Sequence, residues 1–210
     1  AEVAAAELRI SNGLVPIIAN DNYLEIGPRL TALSVVYAWC NPDAGMRARW
    51  TAYADRAIGN LWDHTNAYWG ETPAPWSGWS VNDPGNNYYY SFCIATATWA
   101  LASVNTSLLT FLNDEKLVPL QTYMTAMLGG GSREGTGYGV SLMNLFDLYM
   151  FWRDSGQPDI ANANDHLRGS IYYWVHATVP TLDRYCPIGD LSRVSYPNLF
   201  DYHRSLMLKA

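Results

Sequence analysis

Apolar residues recur at intervals of three and four along almost the whole chain, the spacing that lines one face of an α-helix. Leu24, Leu30, Leu33, Val36 and Tyr37 form one stripe, and Trp50, Tyr53, Ala57, Leu61 and His64 a second. Phe92, Ala95, Trp99 and Ala102 form a third, and Leu142, Leu145, Phe146, Tyr149, Phe151 and Trp152 a fourth. The pattern predicts helices near 1–11, 22–40, 44–67, 87–105, 113–128, 139–155, 160–177 and 198–210. Asn41-Pro42-Asp43, Ser155-Gly156-Gln157-Pro158 and Pro180 interrupt it with turn chemistry. No segment alternates with the period of two that a half-buried strand requires, so the expected class is all-α.

Consecutive antiparallel helices put successive loops at opposite ends of the array. By that parity the short connections near 41–43, 106–112 and 156–159 share one end, and the segments 12–21, 68–86, 129–138 and 178–197 share the other. The second set is longer and holds most of the Gly, Pro and loop Trp. Functional residues favour loops carried by a rigid scaffold, so this end is the expected working face. Helices opening near Asn87, Gly139 and Asn198 would aim their N-termini at it. Each such terminus offers unpaired N–H groups and about half a positive charge, which favours an anion.

Three motifs lie on that face. The first is Trp76-Ser77-Gly78-Trp79 followed by Asn86-Asn87-Tyr88 at the opening of a helix. Asn at that place is also the commonest helix cap. The second is Gly129-Gly130-Gly131-Ser132-Arg133-Glu134-Gly135-Thr136-Gly137-Tyr138-Gly139, which lacks the Lys of a phosphate-binding loop. The third is Cys186-Pro187-Ile188-Gly189-Asp190-Leu191-Ser192-Arg193, with His203 further along on the last helix.

Charge and composition narrow the function classes. Thirteen Lys and Arg against nineteen Asp and Glu leave a net charge of −6, which argues against a nucleic-acid partner, because phosphate binding needs a basic face. Lys116 and Lys209 are the only lysines, so the remaining cations are Arg, the better residue for bidentate contacts with carboxylate or sulfate. No apolar run approaches the roughly 20 residues of a membrane span, so no membrane partner is expected. Aromatics make up 14% of the chain, weighted to Trp and Tyr, whose flat faces and polar tips suit sugars in wet clefts as well as cores. Cys40, Cys93 and Cys186 are too few and too far apart for a disulfide framework, and no zinc spacing occurs. Neither metal nor cofactor is expected. Ser205-Leu206-Met207-Leu208-Lys209-Ala210 reads as a helix cut in mid-pattern, so residues 1–210 are expected to be one domain of a longer or processed protein.

Asn86-Asn87 before an aromatic helix, then Arg133-Glu134-Gly135 with Gly137-Tyr138-Gly139, then Gly189-Asp190, resembles the helical domain of heparinase II/III-like and alginate-lyase-type polysaccharide lyases. The motifs span about residues 76–193, and the 51 residues from Asn87 to Tyr138 are similar to the family's Asn-to-Tyr distance. The resemblance implies an incomplete (α/α) toroid of antiparallel helical hairpins, secreted or periplasmic, that cleaves a uronate-containing acidic polysaccharide by β-elimination. It implies that Asn87 neutralises the uronate carboxylate and that Tyr138 transfers protons. Many relatives carry a His directly after the Asn, where this chain has Tyr88, and no His lies between His64 and His166. Either Tyr138 is both base and acid, or His203 supplies the base, or the chain is an inactive or differently specialised relative. Tyrosine needs a nearby cation to act as a base at neutral pH, and Arg133 is placed for it in sequence. An ion pair between Arg133 and Glu134 is the alternative. Asn86, Tyr88, Trp76, Trp79, Glu134, Asp190 and Arg193 complete the expected substrate contacts, the two Trp as sugar platforms or as loop packing. His64, His166 and His176 are expected to be structural. Two other readings remain: a glycoside hydrolase using Asp83, Glu134 or Asp190, and a non-catalytic carbohydrate-binding protein.

Overall fold

The computed structural model describes residues 25–136 and 139–189, together with Ala5. The described chain is all-α apart from one two-stranded hairpin. The helices are α1 (Ile26–Trp39), α2 (Ala44–Trp62), α3 (Asn87–Ser103), α4 (Thr106–Phe111), α5 (Val118–Ala126), α6 (Gly139–Asp154) and α7 (His166–Ala177). A π-helical stretch, Leu112–Leu117, joins α4 to α5, and a 3-10 turn, Leu128–Gly130, follows α5. The segments 1–11, 12–21 and 198–210 of the sequence expectation lie outside the described residues, Ala5 apart. By contact the chain forms two compact units. One takes residues up to Val81 together with Ser91–Thr110, and the other takes Asn82–Tyr90 with the chain from Phe111 onward.

In the first unit α2 starts where Asp43 accepts a hydrogen bond from Met46 N at 2.9 Å, an N-cap. Its buried stripe is Trp50, Tyr53, Ala54, Ala57, Ile58, Asn60 and Leu61. Gly27 of α1 donates its N–H to Ser91 Oγ at 3.1 Å, and a Cβ at Gly27 would stand 2.5 Å from that oxygen. The glycine is there for the close approach of the two helices. Trp99 donates its indole N–H to Asp55 at 2.7 Å and meets Tyr37 edge-on at 4.9 Å. Residues Ser91–Ala100 are buried on every side, as expected of a helix with no polar face.

Where the sequence pattern places a helix to residue 67, the chain turns after Trp62 and forms a hairpin, β1 (Tyr68–Trp69) and β2 (Thr72–Pro73). Buried Asn60 clips it: its side chain exchanges hydrogen bonds with Tyr68 N and O, and its carbonyl accepts from Trp76 Nε1 at 2.8 Å. These are tertiary bonds, which periodicity does not report. Two further boundaries move for local reasons. The connection expected at 106–112 is helical, because Val104 turns with φ 55° and Asn105 Oδ1 caps Leu108 N. The helix expected from 160 begins at His166, because the Asp159 carboxylate takes the N–H groups of Ala161 and Asn162 in a local turn.

The second unit is built on α6, whose Leu142, Leu145, Phe146, Leu148, Tyr149 and Trp152 are buried. Lys116 of the π-helical stretch binds Tyr89 of α3 and the loop before that helix: its carbonyl accepts from Tyr89 Oη at 2.8 Å, and its Nζ donates to Asn82 at 3.2 Å. Gly130, at φ 72°, lies so close to α7 that a Cβ would fall 1.9 Å from Ser170 N. Ser170 Oγ donates to the Gly130 carbonyl at 2.7 Å. Beside it, buried His166 donates Nε2–H to Gly131 O at 3.0 Å, which leaves Nδ1 as a buried lone pair with no partner among the described residues.

Burial holds the His166 imidazole below its ordinary range, partly offset by the Gly131 bond. The unfolded chain therefore binds a proton that the fold refuses, and stability falls as pH drops from the ordinary imidazole value of about 6.5 through the lowered folded one. Urea unfolding midpoints measured across that interval should decline for the wild type. His166→Gln should show a flatter profile. An equal slope in both proteins would place the acid sensitivity elsewhere.

Candidate functional site

In the second unit residues 82–87 and 129–136 meet at the N-terminus of α3, and residues 185–189 are fastened to the second of these loops. Asn86 caps the helix, its Oδ1 accepting from Tyr88 N at 2.9 Å. The N–H of Asn87, the first helical residue, donates to Glu134 Oε2 at 3.1 Å, across 47 positions of sequence. A carboxylate of the protein thus occupies the positive end of the helix, where the sequence pattern leaves room for a ligand anion. Asn87 itself is buried, and its Oδ1 has no partner among the described residues. The cap is therefore Asn86, and the Asn87 side chain plays no part in it.

Arg133 donates to Asp83 Oδ2 at 2.6 Å. Its ion-pair partner is Asp83, not the adjacent Glu134, because Glu134 turns to the helix end. Asp83 Oδ1 also accepts from Gly85 N at 3.2 Å. Both side chains of the pair are open to solvent, Arg133 at 49% and Asp83 at 41%. The pair nonetheless favours the charged guanidinium and raises the Arg133 pKa further, first through the hydrogen bond to Asp83.

Beneath this pair stand tyrosines that the motif reading does not single out. Tyr123 of α5 lies against Gly85: a Cβ there would be 2.6 Å from Tyr123 Oη and 3.0 Å from Arg133 Cζ. Tyr90 is buried on α3, and burial pushes its phenol well above the ordinary range, with Tyr123, Tyr149 and Glu134 adding to the rise. Burial likewise raises Tyr149. Neither buried phenol can ionise near neutral pH. In the sequence Tyr149 is marked only by the fourth apolar stripe, and Tyr90 and Tyr123 by none.

Thr136 fastens the third loop. Its N–H donates to Ile188 O at 2.9 Å, its Oγ1 donates to Cys186 O at 2.7 Å, and Ile188 N donates back to that Oγ1 at 3.1 Å. Gly135, at φ 78°, passes so near Ile188 O that a Cβ would lie 1.9 Å away. The glycines of this loop are contact points, not a flexible linker. Tyr138, Asp190, Arg193 and His203 lie outside the described residues. Tyr88 is half-buried at the helix opening. Among the described residues no group of His, Cys, Asp and Glu could hold a metal ion, and no helix is long and apolar enough to cross a membrane.

Trp76 and Trp79 belong to the first unit. Trp76 is held in packing: besides its bond to Asn60 it meets His64 edge-on at 5.7 Å and Phe92 at 6.3 Å. His64 Nδ1 donates to Trp76 O at 3.0 Å and is structural, as is His166, while His176 is exposed. Trp79 is 57% exposed and is the ring free to take a sugar face.

Two results follow for mutants. Asn86→Ala should lower stability by about 1 kcal/mol, the worth of an N-cap. Asn87→Ala should leave the thermal midpoint nearly unchanged, since it removes an unpaired polar atom; a loss equal to that of Asn86→Ala would restore Asn87 to a capping role. For the indoles, Trp76→Ala should cost about 2–3 kcal/mol, somewhat less than truncation of a fully buried aromatic. Trp79→Ala should leave the thermal midpoint nearly unchanged, since its ring is exposed; a loss equal to that of Trp76→Ala would place this ring in the packing too.

No protein-family model matches this chain, and no curated protein or solved structure matches it either.

Proposed function

We propose that the protein is a polysaccharide lyase acting on a uronate-containing acidic polysaccharide, built on an incomplete (α/α) toroid and working outside the cell or in the periplasm. One observation carries the reading. Asn87 and the Arg133-Glu134 pair, matched to the lyase motifs in sequence order, meet at the N-terminus of α3 through the Glu134–Asn87 bond. Asp83 adds Arg133 to the same cluster.

The chemistry asks for such a cluster. The C5 proton of a uronate is adjacent to a carboxylate whose charge must be offset as carbanion character develops. Since Glu134 already takes the Asn87 N–H, the offset falls to the Asn87 side-chain amide and to Arg133. A base removes the C5 proton, the C4–O4 bond breaks, a C4–C5 double bond forms, and O4 takes a proton. Tyr138, by its resemblance to the family tyrosine, serves as base and acid. The hydrolase alternative is less favoured, because Glu134, one of its candidate carboxylates, already accepts the Asn87 N–H.

Incubation with a panel of uronate polymers, followed by the ultraviolet absorbance of the unsaturated product, tests the reading. Activity on at least one polymer is expected. Asn87→Ala should then lose about 10²-fold or more in turnover, comparable with an oxyanion-hole donor. Tyr138→Phe should lose about 10²–10⁴-fold while still binding polymer. A Tyr138→Phe enzyme keeping more than about a tenth of the activity would remove the tyrosine from proton transfer. Reducing ends without ultraviolet absorbance would instead indicate hydrolysis.

A further inference from the structure

We propose that Tyr123 is a ligand-binding residue of this site, its hydroxyl donating a hydrogen bond to an anionic oxygen that Arg133 holds. The inference rests on the acidic-polysaccharide reading for the chemistry of the ligand, and on the geometry for the residue.

Tyr123 Oη is buried and has no hydrogen-bond partner among the described residues. A hydroxyl withdrawn from water without a partner opposes folding, and a Phe of the same ring would avoid that cost. Such groups call for a reason beyond packing. Its position supplies one. Gly85 has an ordinary backbone conformation, so the space it leaves, not its φ, is what its lack of a side chain provides. That space brings Tyr123 Oη and the Arg133 guanidinium against the same point of the chain.

The charged groups around the hydroxyl are Arg133, Asp83 and Glu134. Burial raises the Tyr123 pKa, Asp83 and Glu134 raise it further, and Arg133 lowers it in part. The group is a protonated donor at neutral pH, suited to an anion.

Asp83 and the ligand compete for one guanidinium. Arg133 gives Asp83 a single hydrogen bond, and its other N–H groups have no acceptor among the described residues. The pair is solvent-exposed on both sides, the kind of ion pair that contributes little to stability. A carboxylate or sulfate displaces Asp83 at small cost. Breaking the pair frees the guanidinium to swing from Gly85, and this opens the hydroxyl to the same anion. Arg133 supplies charge, Tyr123 a directed donor.

Calorimetric titration at neutral pH tests this with two probes, an alginate hexasaccharide bearing only carboxylates and a heparin hexasaccharide bearing carboxylates and sulfates. Wild type, Tyr123→Phe and Arg133→Ala are compared, with thermal midpoints measured on the same samples. Tyr123→Phe should unfold at the same or a higher temperature, yet bind the preferred probe about 10–100-fold more weakly, as expected for a lost hydrogen bond to a charged group. The preferred probe tells carboxylate from sulfate recognition. If Tyr123→Phe binds as wild type does while Arg133→Ala loses binding, the anion site stands and Tyr123 is not part of it. A lowered midpoint with unchanged affinity would make the hydroxyl structural and also overturn the proposal. Failure of the wild type to bind either probe would overturn the acidic-polysaccharide reading itself, and this inference with it.

Discussion

The first N–H groups of α3 have no carbonyl of their own helix to bond, and the helix is too deeply buried for water to serve them all. The chain answers with two side chains, Asn86 from the adjacent turn and Glu134 from a distant loop. The second bond decides the local architecture. To bring its carboxylate to the helix, Glu134 must fix the loop 129–136, and Arg133 beside it is then delivered to Asp83. Thr136, two residues on, fastens the same loop to Ile188. A requirement of backbone hydrogen bonding thus assembles the residues that carry the proposed chemistry.

The energies of these contacts differ in kind. A buried backbone amide paired with a carboxylate is a charge-assisted bond, among the stronger ones a protein makes. The Arg133–Asp83 pair is exposed and contributes at most about 1 kcal/mol. The loop is therefore held by Glu134 and Thr136, and Arg133 can change partners without releasing it. Polar atoms of Asn87 and Tyr123 are buried in the same region without partners among the described residues.

Helical periodicity specified α1, α2, α3, α5, α6 and the body of α7, since a face of apolar residues at three- and four-residue spacing buries well as a helix, but it left α4 (Thr106–Phe111) as a connection. The Asp43 cap of α2 and the opening of α3 at Asn87 were equally local. Loop parity put 82–86, 129–136 and 185–189 on one expected face, and hydrogen bonds join Asn87 to Glu134 and Thr136 to Ile188, while 12–21 lies outside the described residues. What periodicity missed were competitions: the Asp159 carboxylate taking amides from the start of α7, and Asn60 drawing residues 68–76 into a clipped hairpin.

The roles of individual polar residues were decided only by the tertiary structure. In sequence, Asn86 and Asn87 are equivalent, and Glu134 is the nearest carboxylate to Arg133. In three dimensions Asn86 is the cap, Asn87 is not, Glu134 is the anion of the helix, and Asp83 pairs with Arg133. Tyr123 belongs to none of the stripes marked in the sequence, and Gly85 brings it to the guanidinium. The reason is physical: apolar burial depends on the pattern of a face and survives averaging over neighbours. A hydrogen bond or an ion pair depends on distances of a few tenths of an ångström between groups that the chain separates by tens of residues.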